Sequence, residues 1–452
     1  MAQVPLARKL AFTASGFGYS ACLAASGAYL MYFYTDVALL GIGLAGLASG
    51  VGRVYDALNS PLVGYLSDKT HTRWGRRRPW IAAAAVPFSL SFVLLFRPPA
   101  TANQYVLFAY LLVTSLALDT FVTMLQVPSF ALSAELSSDY QERTQIFALG
   151  TFFSNVGQIC GGFLPFLAAR FADARTGYAW VTLLLAVAAA PVTLLALLAP
   201  ERPAALRGAP AGVNDFWRGY WTCLCNRAYR ILLVTFLVMN LGAGIGQATA
   251  VYALVYWLGF AQGEIGLLMP VYLGASCLAL PFWTWLSGWM GKDVVLKRVL
   301  FYESLVLFAA YFLVPSRPAV YAFMVATGCG FAGFVLVPSL LSDILDVDEL
   351  DTGAQRAGVC LSFWTLILKG GTVIGPVLVG WILALAGYVP NAPQTPLVIE
   401  TMRWLYGPIP GLFFIAGYFV FRNFSLTRER LGEIQAELAR RRPPAAAGGG
   451  VK

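Results

Sequence analysis

Charged residues are scarce in this sequence. Only 12% of the 452 residues are Asp, Glu, Lys or Arg, against 58% that are hydrophobic, and the mean hydropathy is +0.69. A soluble domain has too little interior to bury so much apolar surface. The scarcity of charge therefore excludes a soluble globular protein and predicts an all-α membrane protein.

Histidine is almost absent, and the cysteines are not arranged in pairs. The single histidine, His71, falls in a basic loop, where we expect a surface role rather than a proton relay. The seven cysteines are scattered and mostly lie in apolar runs, as buried cysteines do; Cys223 and Cys225, spaced C-x-C, form only a weak metal pattern. No catalytic triad, metal site or phosphate-binding loop is recognisable. We therefore expect no enzyme, no cofactor and no metal.

Apolar runs of about 20 residues, the length that crosses a bilayer core, recur along the whole chain. They predict twelve membrane spans. The spans are expected at 14–38, 42–67, 79–97, 104–133, 147–171, 177–199, 229–258, 264–290, 297–315, 318–341, 357–387 and 403–424.

The net charge of +9 is concentrated in a few connections between spans. Basic residues crowd the connection between spans 2 and 3, the centre of the chain, the connection between spans 8 and 9, and the C-terminal tail, whereas the alternate connections are nearly free of charge. By the positive-inside rule both termini are cytoplasmic. We expect a multi-pass protein of the cell (inner) membrane whose partner is the lipid bilayer, not nucleic acid.

The chain divides into two similar halves. A Pro-, Gly- and Arg-containing connection separates six spans from six, and each half has a basic loop between its second and third spans, as parallel repeats would have. The expected units are an N-terminal lobe at 1–200, a cytoplasmic linker at 201–228, a C-terminal lobe at 229–425 and a cytoplasmic tail at 426–452.

Ionisable residues inside the spans are the main functional candidates. A charge at mid-bilayer costs about 2.5–3.5 kcal/mol on insertion scales and is a functional hypothesis by default. Arg53 and Asp56 lie three residues apart on one face of span 2, Asp119 and Gln126 share a face of span 4, and Lys369 lies midway along span 11. Asp56 and Lys369 are the pair that we expect to drive the protein.

Structural roles for these charges stay open. Arg53 and Asp56 can neutralise each other as a buried pair, and the long stem of Lys369 can reach an interface. Asp119 can be a solvated carboxylate of a cavity wall or a partner of Arg53.

The segment RVYDALNSPLVGYLSDKTHTRWGRRRPWI resembles the glycoside–pentoside–hexuronide:cation symporters of the major facilitator superfamily. The resemblance continues at KLAF, YLMYFYTDVALL, SSDYQERTQ, DILDVDELDTGAQRAG, LKGG and GYVPN, and so covers most of the chain. It implies the major facilitator superfamily fold, with twelve transmembrane helices in two six-helix lobes. It also implies a protein that moves a small solute together with a cation by alternating access. We expect this protein to be a monomer.

For the cation site, the resemblance implies carboxylates on spans 2 and 4 beside the lysine of span 11. Asp56 and Lys369 match, but Ser60 and Gln126 stand where two further acids are expected, and Asp119 is a possible replacement. Because hard cations prefer several charged oxygen ligands, we predict coupling to H⁺ rather than to Na⁺. The residues assigned to cation coupling are Asp56, Lys369, Asp119, Asn59, Ser60 and Gln126.

For the substrate, the resemblance implies a sugar or glycoside. Ser20, Phe130 and Thr151 stand where the melibiose carrier has sugar-binding side chains, so none of its sugar contacts is kept. The alternatives are a lysolipid or another amphiphile, an uncoupled facilitator, or, in another class, a membrane enzyme or passive channel. The residues assigned to substrate binding are Tyr19, Ser20, Arg53, Phe130, Thr151, Asn155, Gln158, Asn240, Gln247, Trp364 and Thr365, with Tyr34 and Tyr252 as further walls of the cavity.

Charged cytoplasmic loops of the two halves are candidates for a gate. Basic residues after span 2 and acidic residues after span 10 can attract each other across the lobes and break apart as the lobes rock; a solvated run of charge is the alternative. The gating residues are Asp68, Arg73, Arg76, Arg77, Arg78, Asp139, Glu142, Arg143, Asp343, Asp346, Asp348, Glu349 and Arg356.

Overall fold

A computed structural model describes most of the chain. The described residues are 5–70, 72–136, 140–198, 224–313, 316–341, 343–344, 364 and 374–424. Within these ranges the chain is helical apart from short connections, and its one β-type pairing is the isolated bridge between Thr72 and Gly75.

The first group of helices forms the N-terminal lobe. In the described residues it consists of α1 (Leu6–Tyr32, extended by a π-helical turn at Phe33–Val37), α2 (Ile42–Lys69), α3 (Arg78–Leu95), α4 (Gln104–Glu135), α5 (Tyr140–Gly162, followed by a short helix at Leu164–Ala168) and α6 (Ala174–Leu194, ending in a 3₁₀ turn at Leu195–Leu198).

The second group forms the C-terminal lobe. Its described helices are α7 (Arg227–Tyr252, extended by a π-helical turn at Ala253–Trp257), α8 (Gln262–Met290), α9 (Lys292–Ala310), α10 (Arg317–Ala332, continued by a 3₁₀ turn at Gly333–Val335), α11 (Ile374–Ala386) and α12 (Pro396–Tyr406 and Pro408–Phe421, interrupted at Gly407).

The expected spans coincide with these helices within a few residues at most ends. For the span expected at 357–387, the described part of the helix begins at Ile374. Among the described residues, seven helices are both long and apolar enough to cross a membrane by themselves. Most of the expected linker, at 201–223, and the expected tail lie outside the described residues.

Side-chain caps begin several helices at positions where the backbone would otherwise leave its N–H groups unpaired. The Asn103 side chain accepts bonds from the backbone N–H groups of Tyr105 and Val106 at the start of α4. Asp173 starts α6 in the same way and accepts from both the hydroxyl and the N–H of Thr176. These bonds, the hydroxyl bond first, hold the pKa of the Asp173 carboxyl below its usual range.

Helix α1 packs closely against α5. A Cβ added at Gly161 would overlap the carbonyl oxygen of Ala21, so only glycine permits this approach. Small residues at such contacts let membrane helices come together through van der Waals packing. The contact holds α1, which lies at the centre of the protein, against its own lobe.

The connections lie at two opposite ends of the helical bundle. We call the end with the α1–α2, α7–α8 and α11–α12 connections the distal end, and the end with the α2–α3 connection the terminal end. Between the lobes, α1 packs against α7, and α5 packs against α8. The central helices of each lobe therefore face the other lobe.

We expect Gly161→Val to destabilise the protein by at least the roughly 1–3 kcal/mol that overpacking typically costs. The measurement is the melting temperature of the purified protein in detergent. Gly274→Val is the matched control, because a Cβ at Gly274 of α8 meets no atom within 4 Å. Equal melting temperatures for the two variants would contradict the close α1–α5 contact.

Candidate functional site

A cavity of about 300 Å³ lies between the two lobes. Helices α1, α2 and α4 line it from one side and α7 from the other, with Pro376 of α11 also contributing. Its volume is at the lower end of the range for small-molecule sites. The polar and aromatic lining residues are Ser26, Tyr32, Ser49, Arg53, Ser115, Asp119, Gln247 and Tyr252.

Asp56 lies at the contact between α2 and α4. The hydroxyl of Thr123 on α4 donates to Asp56 Oδ1 at 3.1 Å and to the carbonyl oxygen of Asp119 at 2.7 Å. Next to Asp56 on α2, the Tyr55 hydroxyl pairs with that of Thr120, about one turn before Thr123 on α4, at 2.8 Å. Hydroxyl contacts of this kind fix the register of α2 against α4 and support the half-buried carboxylate.

Asp119 is displaced from Asp56 by about one helical turn. Its Oδ2 lies 3.3 Å from the position that a Cβ on Gly52 would occupy, so it lies beside Gly52, four residues before Asp56. At the level of Asp56, the neighbouring side chain on α4 is Thr123, whereas Asp119 lies beside the cavity. The two acids lie on successive turns of one helix contact.

Other residues assigned to the cation site have mixed surroundings. The Ser60 hydroxyl donates to the backbone carbonyl of Asp56 at 3.0 Å. Asn59 is buried, and its Nδ2 finds no acceptor among the described residues. Gln126 is half-buried on α4. Lys369 lies outside the described residues.

Two of the residues assigned to the substrate, Arg53 and Gln247, line the central cavity. The other described ones are not among its lining residues. Trp364 is stacked on Phe236 with ring centroids 4.0 Å apart, and the Asn240 amide donates to its own helix at Phe236. Phe130 and Thr151 are exposed, Ser20 is buried, and Tyr19, Asn155 and Gln158 are half-buried. Thr365 lies outside the described residues.

Of the two further walls, only Tyr252 lines the cavity. Tyr34 is fully buried, and its hydroxyl donates to the Leu95 carbonyl at 2.9 Å, so the expectation that it lines the cavity is wrong.

The expected gating residues are only partly described. Arg73 is exposed, Arg76 and Arg78 are half-buried, and Arg77 is buried, all in or beside the α2–α3 connection. Asp343 accepts from Lys292 Nζ at 2.7 and 3.0 Å, so in this structure it is paired within its own lobe rather than across the lobes. The side chains of Asp68, Glu142 and Arg143, and the whole of Asp139, Asp346, Asp348, Glu349 and Arg356, lie outside the described residues.

Sequence reasoning missed a buried carboxylate at the distal end. Asp36, in the π-helical turn that ends α1, accepts hydrogen bonds from the hydroxyls of Tyr256 and Tyr388 in the other lobe. The available signal was an acid inside the expected span 14–38 without a basic residue nearby in that span. These two tyrosines lie more than 200 residues away in the sequence, so no local pattern identifies them as partners.

Comparison with known proteins agrees with this architecture. The chain matches the MFS/sugar transport protein family over residues 11–428. It is 26% identical to the isoprimeverose transporter of Lactiplantibacillus pentosus, over 90% of this chain and 86% of that protein. It is also 26% identical to the sodium-dependent lysophosphatidylcholine symporter 1 of Gallus gallus, over 94% of this chain and 87% of that protein.

A solved structure shows the same fold. The crystal structure of a D-xylose-proton symporter superposes with a TM-score of 0.67 at 15% identity, covering 93% of this chain and 97% of that chain. The expected fold class and symporter lineage are thereby confirmed. The chain belongs to the MFS/sugar transport protein family and is a multi-pass membrane transporter of the major facilitator superfamily.

Proposed function

We propose that this protein is a secondary active transporter that carries a sugar or glycoside in symport with H⁺ through the cell (inner) membrane. The observation that carries the proposal is the cavity between the lobes. It combines hydrogen-bonding side chains with two tyrosines, and both lobes contribute to it. A site shared by two lobes is what alternating access requires, because rocking the lobes exposes it to each side in turn.

The lining of the cavity suits a polyhydroxylated solute. Arg53, Asp119 and Gln247 supply charged and amide groups, and the serines supply hydroxyls that both donate and accept. Aromatic rings have an apolar face that can lie against a sugar ring. The relative named as an isoprimeverose transporter supports this class of substrate.

A lysolipid is the competing substrate, and the relative named as a lysophosphatidylcholine symporter supports it. Such a molecule needs an apolar channel that continues from the polar cavity. The described residues do form an apolar groove of about 740 Å³, but it is lined from α8, α9 and α10, by residues such as Leu278, Phe282 and Tyr302. None of its lining residues lines the central cavity, so the sugar is favoured.

The surroundings of Asp56 favour H⁺ over Na⁺. The Thr123 hydroxyl bonds the Asp56 carboxylate, and the Ser60 hydroxyl bonds the Asp56 backbone carbonyl. A Na⁺ site needs several oxygen ligands that converge on one point, whereas proton exchange needs one acid. Asp119, one turn away, is a second acid through which a proton can reach the cavity.

The basic α2–α3 connection supports a cytoplasmic terminal end, because the positive-inside rule puts basic connections in the cytoplasm. Both termini are then cytoplasmic, and the distal end faces outside. We expect the transporter to act as a monomer, since the two lobes of one chain together line the cavity.

A substrate screen tests the proposed class directly. We expect sugars or glycosides to raise the melting temperature of the purified protein, since a ligand at 100 times its Kd stabilises by about 2.7 kcal/mol. Arg53→Gln should weaken this binding by roughly tenfold or more, the effect of losing a hydrogen bond from a charged group. Arg97→Gln, at the distal surface, is the control. Stabilisation by lysolipids alone would overturn the sugar assignment.

Coupling is tested by uptake into proteoliposomes. We expect an imposed pH gradient to drive accumulation of the sugar, and a Na⁺ gradient at fixed pH to drive none. In Asp56→Asn the pH gradient should no longer drive accumulation, so the sugar only equilibrates between the two sides. Accumulation that follows Na⁺ at fixed pH would contradict H⁺ coupling.

Asp119→Asn tests whether the second acid takes part. Because Asp119 lies beside both the cavity and the Asp56 contact, we expect the variant to accumulate less sugar and to shift the pH dependence of uptake. Asp293→Asn is the matched control, since that acid pairs with Lys297 on α9 away from the cavity. An unchanged pH profile in Asp119→Asn would exclude Asp119 from coupling.

A further inference from the structure

Asp36 is a deeply buried acid, and within the part of the chain that the structure describes its hydrogen-bond partners are all neutral. Only 4% of its surface is exposed. The Tyr388 hydroxyl lies 2.7 Å from Oδ1 and 2.9 Å from Oδ2, the Thr35 hydroxyl donates to Oδ2 at 2.5 Å, and the Tyr256 hydroxyl donates to Oδ1. A buried carboxylate is stable only when such donors replace water.

Most of these partners belong to the other lobe. Tyr256 lies in the π-helical turn that ends α7, and Tyr388 follows α11. Asn391 adds a bond from its amide to the Asp36 carbonyl at 2.5 Å, and its backbone N–H donates to the Tyr256 hydroxyl at 3.0 Å. Its φ of 54° is left-handed, a conformation that asparagine adopts more readily than most residues. The distal ends of α1, α7 and α11 are thus joined at one carboxylate.

We call Asp36, Thr35, Tyr256, Tyr388 and Asn391 the Asp36 cluster. This cluster adjoins the wall of the central cavity. Tyr252 lines the cavity, and its hydroxyl lies 3.0 Å from that of Thr35, which in turn bonds Asp36. The Tyr252 ring also packs edge-on against Tyr32 and Tyr388, with centroids 5.9 and 5.6 Å away. The Asp36 cluster is therefore joined to the cavity wall through Tyr252.

The lobes also meet on the α2–α11 side of the distal half. A Cβ at Gly46 of α2 would lie 2.7 Å from the Pro376 carbonyl oxygen and 3.3 Å from the Gly380 Cα. This contact is apolar and non-directional. The Asp36 cluster is the directional, hydrogen-bonded part of the distal closure among the described residues.

We propose that Asp36, Tyr256, Tyr388 and Asn391 form a latch that holds the distal end shut and releases it when the lobes rock apart. The proposal rests on the alternating-access function above. When the lobes separate, Asp36 keeps Thr35 and gains water, and the tyrosine and asparagine groups become hydrated as well. Because the partners are neutral, opening leaves no unpaired cation, so the closed and open states remain close in free energy.

The test measures the distance between the lobes rather than transport. Spin labels at Tyr105→Cys and Phe312→Cys, both exposed in the native chain on opposite lobes at the distal end, report the separation by pulsed electron paramagnetic resonance. The background is the full chain with its seven native cysteines replaced by serine, reconstituted in nanodiscs. With the wild-type latch residues, we expect one short distance between the two spin labels.

We expect Tyr388→Phe and Asp36→Asn to add a longer separation, with the open-to-closed ratio raised by about tenfold, as expected for the loss of one hydrogen bond to a charged group. Tyr34→Phe is the matched control, because its hydroxyl bonds Leu95 within one lobe. Tyr256→Phe replaces any latch variant that does not fold.

Unchanged distances in the latch variants, or an equal change in Tyr34→Phe, would overturn the latch. The outcome is independent of the proposed substrate and ion, because the measurement uses neither. If neither the wild type nor any variant takes up sugar, but the label distances change as expected, the proposed function is rejected and the latch is supported.

Discussion

A carboxylate within the helical bundle needs hydrogen-bond donors from its neighbours, and here hydroxyl groups supply them. Asp56 takes a bond from Thr123 of the next helix, and Asp36 takes bonds from Thr35, Tyr256 and Tyr388. A full ion pair would stabilise Asp36 more strongly, but separating it would leave a buried charge unpaired at a cost of several kcal/mol. Hydroxyl partners give enough stabilisation to bury the acid and little penalty when it is released. The distal closure depends on this balance.

The two acids differ in which helices their partners join. Thr123 and Asp56 belong to one lobe, so their bond survives a rigid rocking of the lobes and keeps α2 and α4 in register. Tyr256 and Tyr388 belong to the lobe opposite Asp36, so those bonds must break in the same motion. The first arrangement is suited to a proton site whose geometry persists, and the second to a contact that distinguishes two states.

Much of the fold is predictable from the sequence, because span length and hydropathy follow directly from the thickness of the bilayer. The face of a helix is harder to predict. Arg53 and Asp56, three residues apart, were expected on one face; in the structure Arg53 lines the cavity, whereas Asp56 bonds Thr123 across the α2–α4 contact. Side chains three apart diverge by about 60° around a helix, which is enough to place one in a cavity and the other in a helix contact.

Long-range partners account for the features that the sequence could not reveal. Asp36 looks like an ordinary acid near a membrane surface until Tyr256 and Tyr388 are placed beside it, and Asp343 looks available to the other lobe until Lys292 is found next to it. Trp364 likewise looked like a cavity wall, but Phe236 covers its ring. In each case the decisive neighbour comes from a distant helix.

Tyr252 links the cavity to the distal closure, and this link has a thermodynamic consequence. A ligand shifts an equilibrium only through contacts that differ between the two states. Because Tyr252 lines the cavity while its hydroxyl contacts Thr35 of the Asp36 cluster, a solute that bonds Tyr252 competes with or strengthens that cluster. By reciprocity, the state of the cluster must change the affinity for the solute by the same factor. Binding in the cavity and closure of the distal end are therefore one coupled equilibrium rather than two separate events.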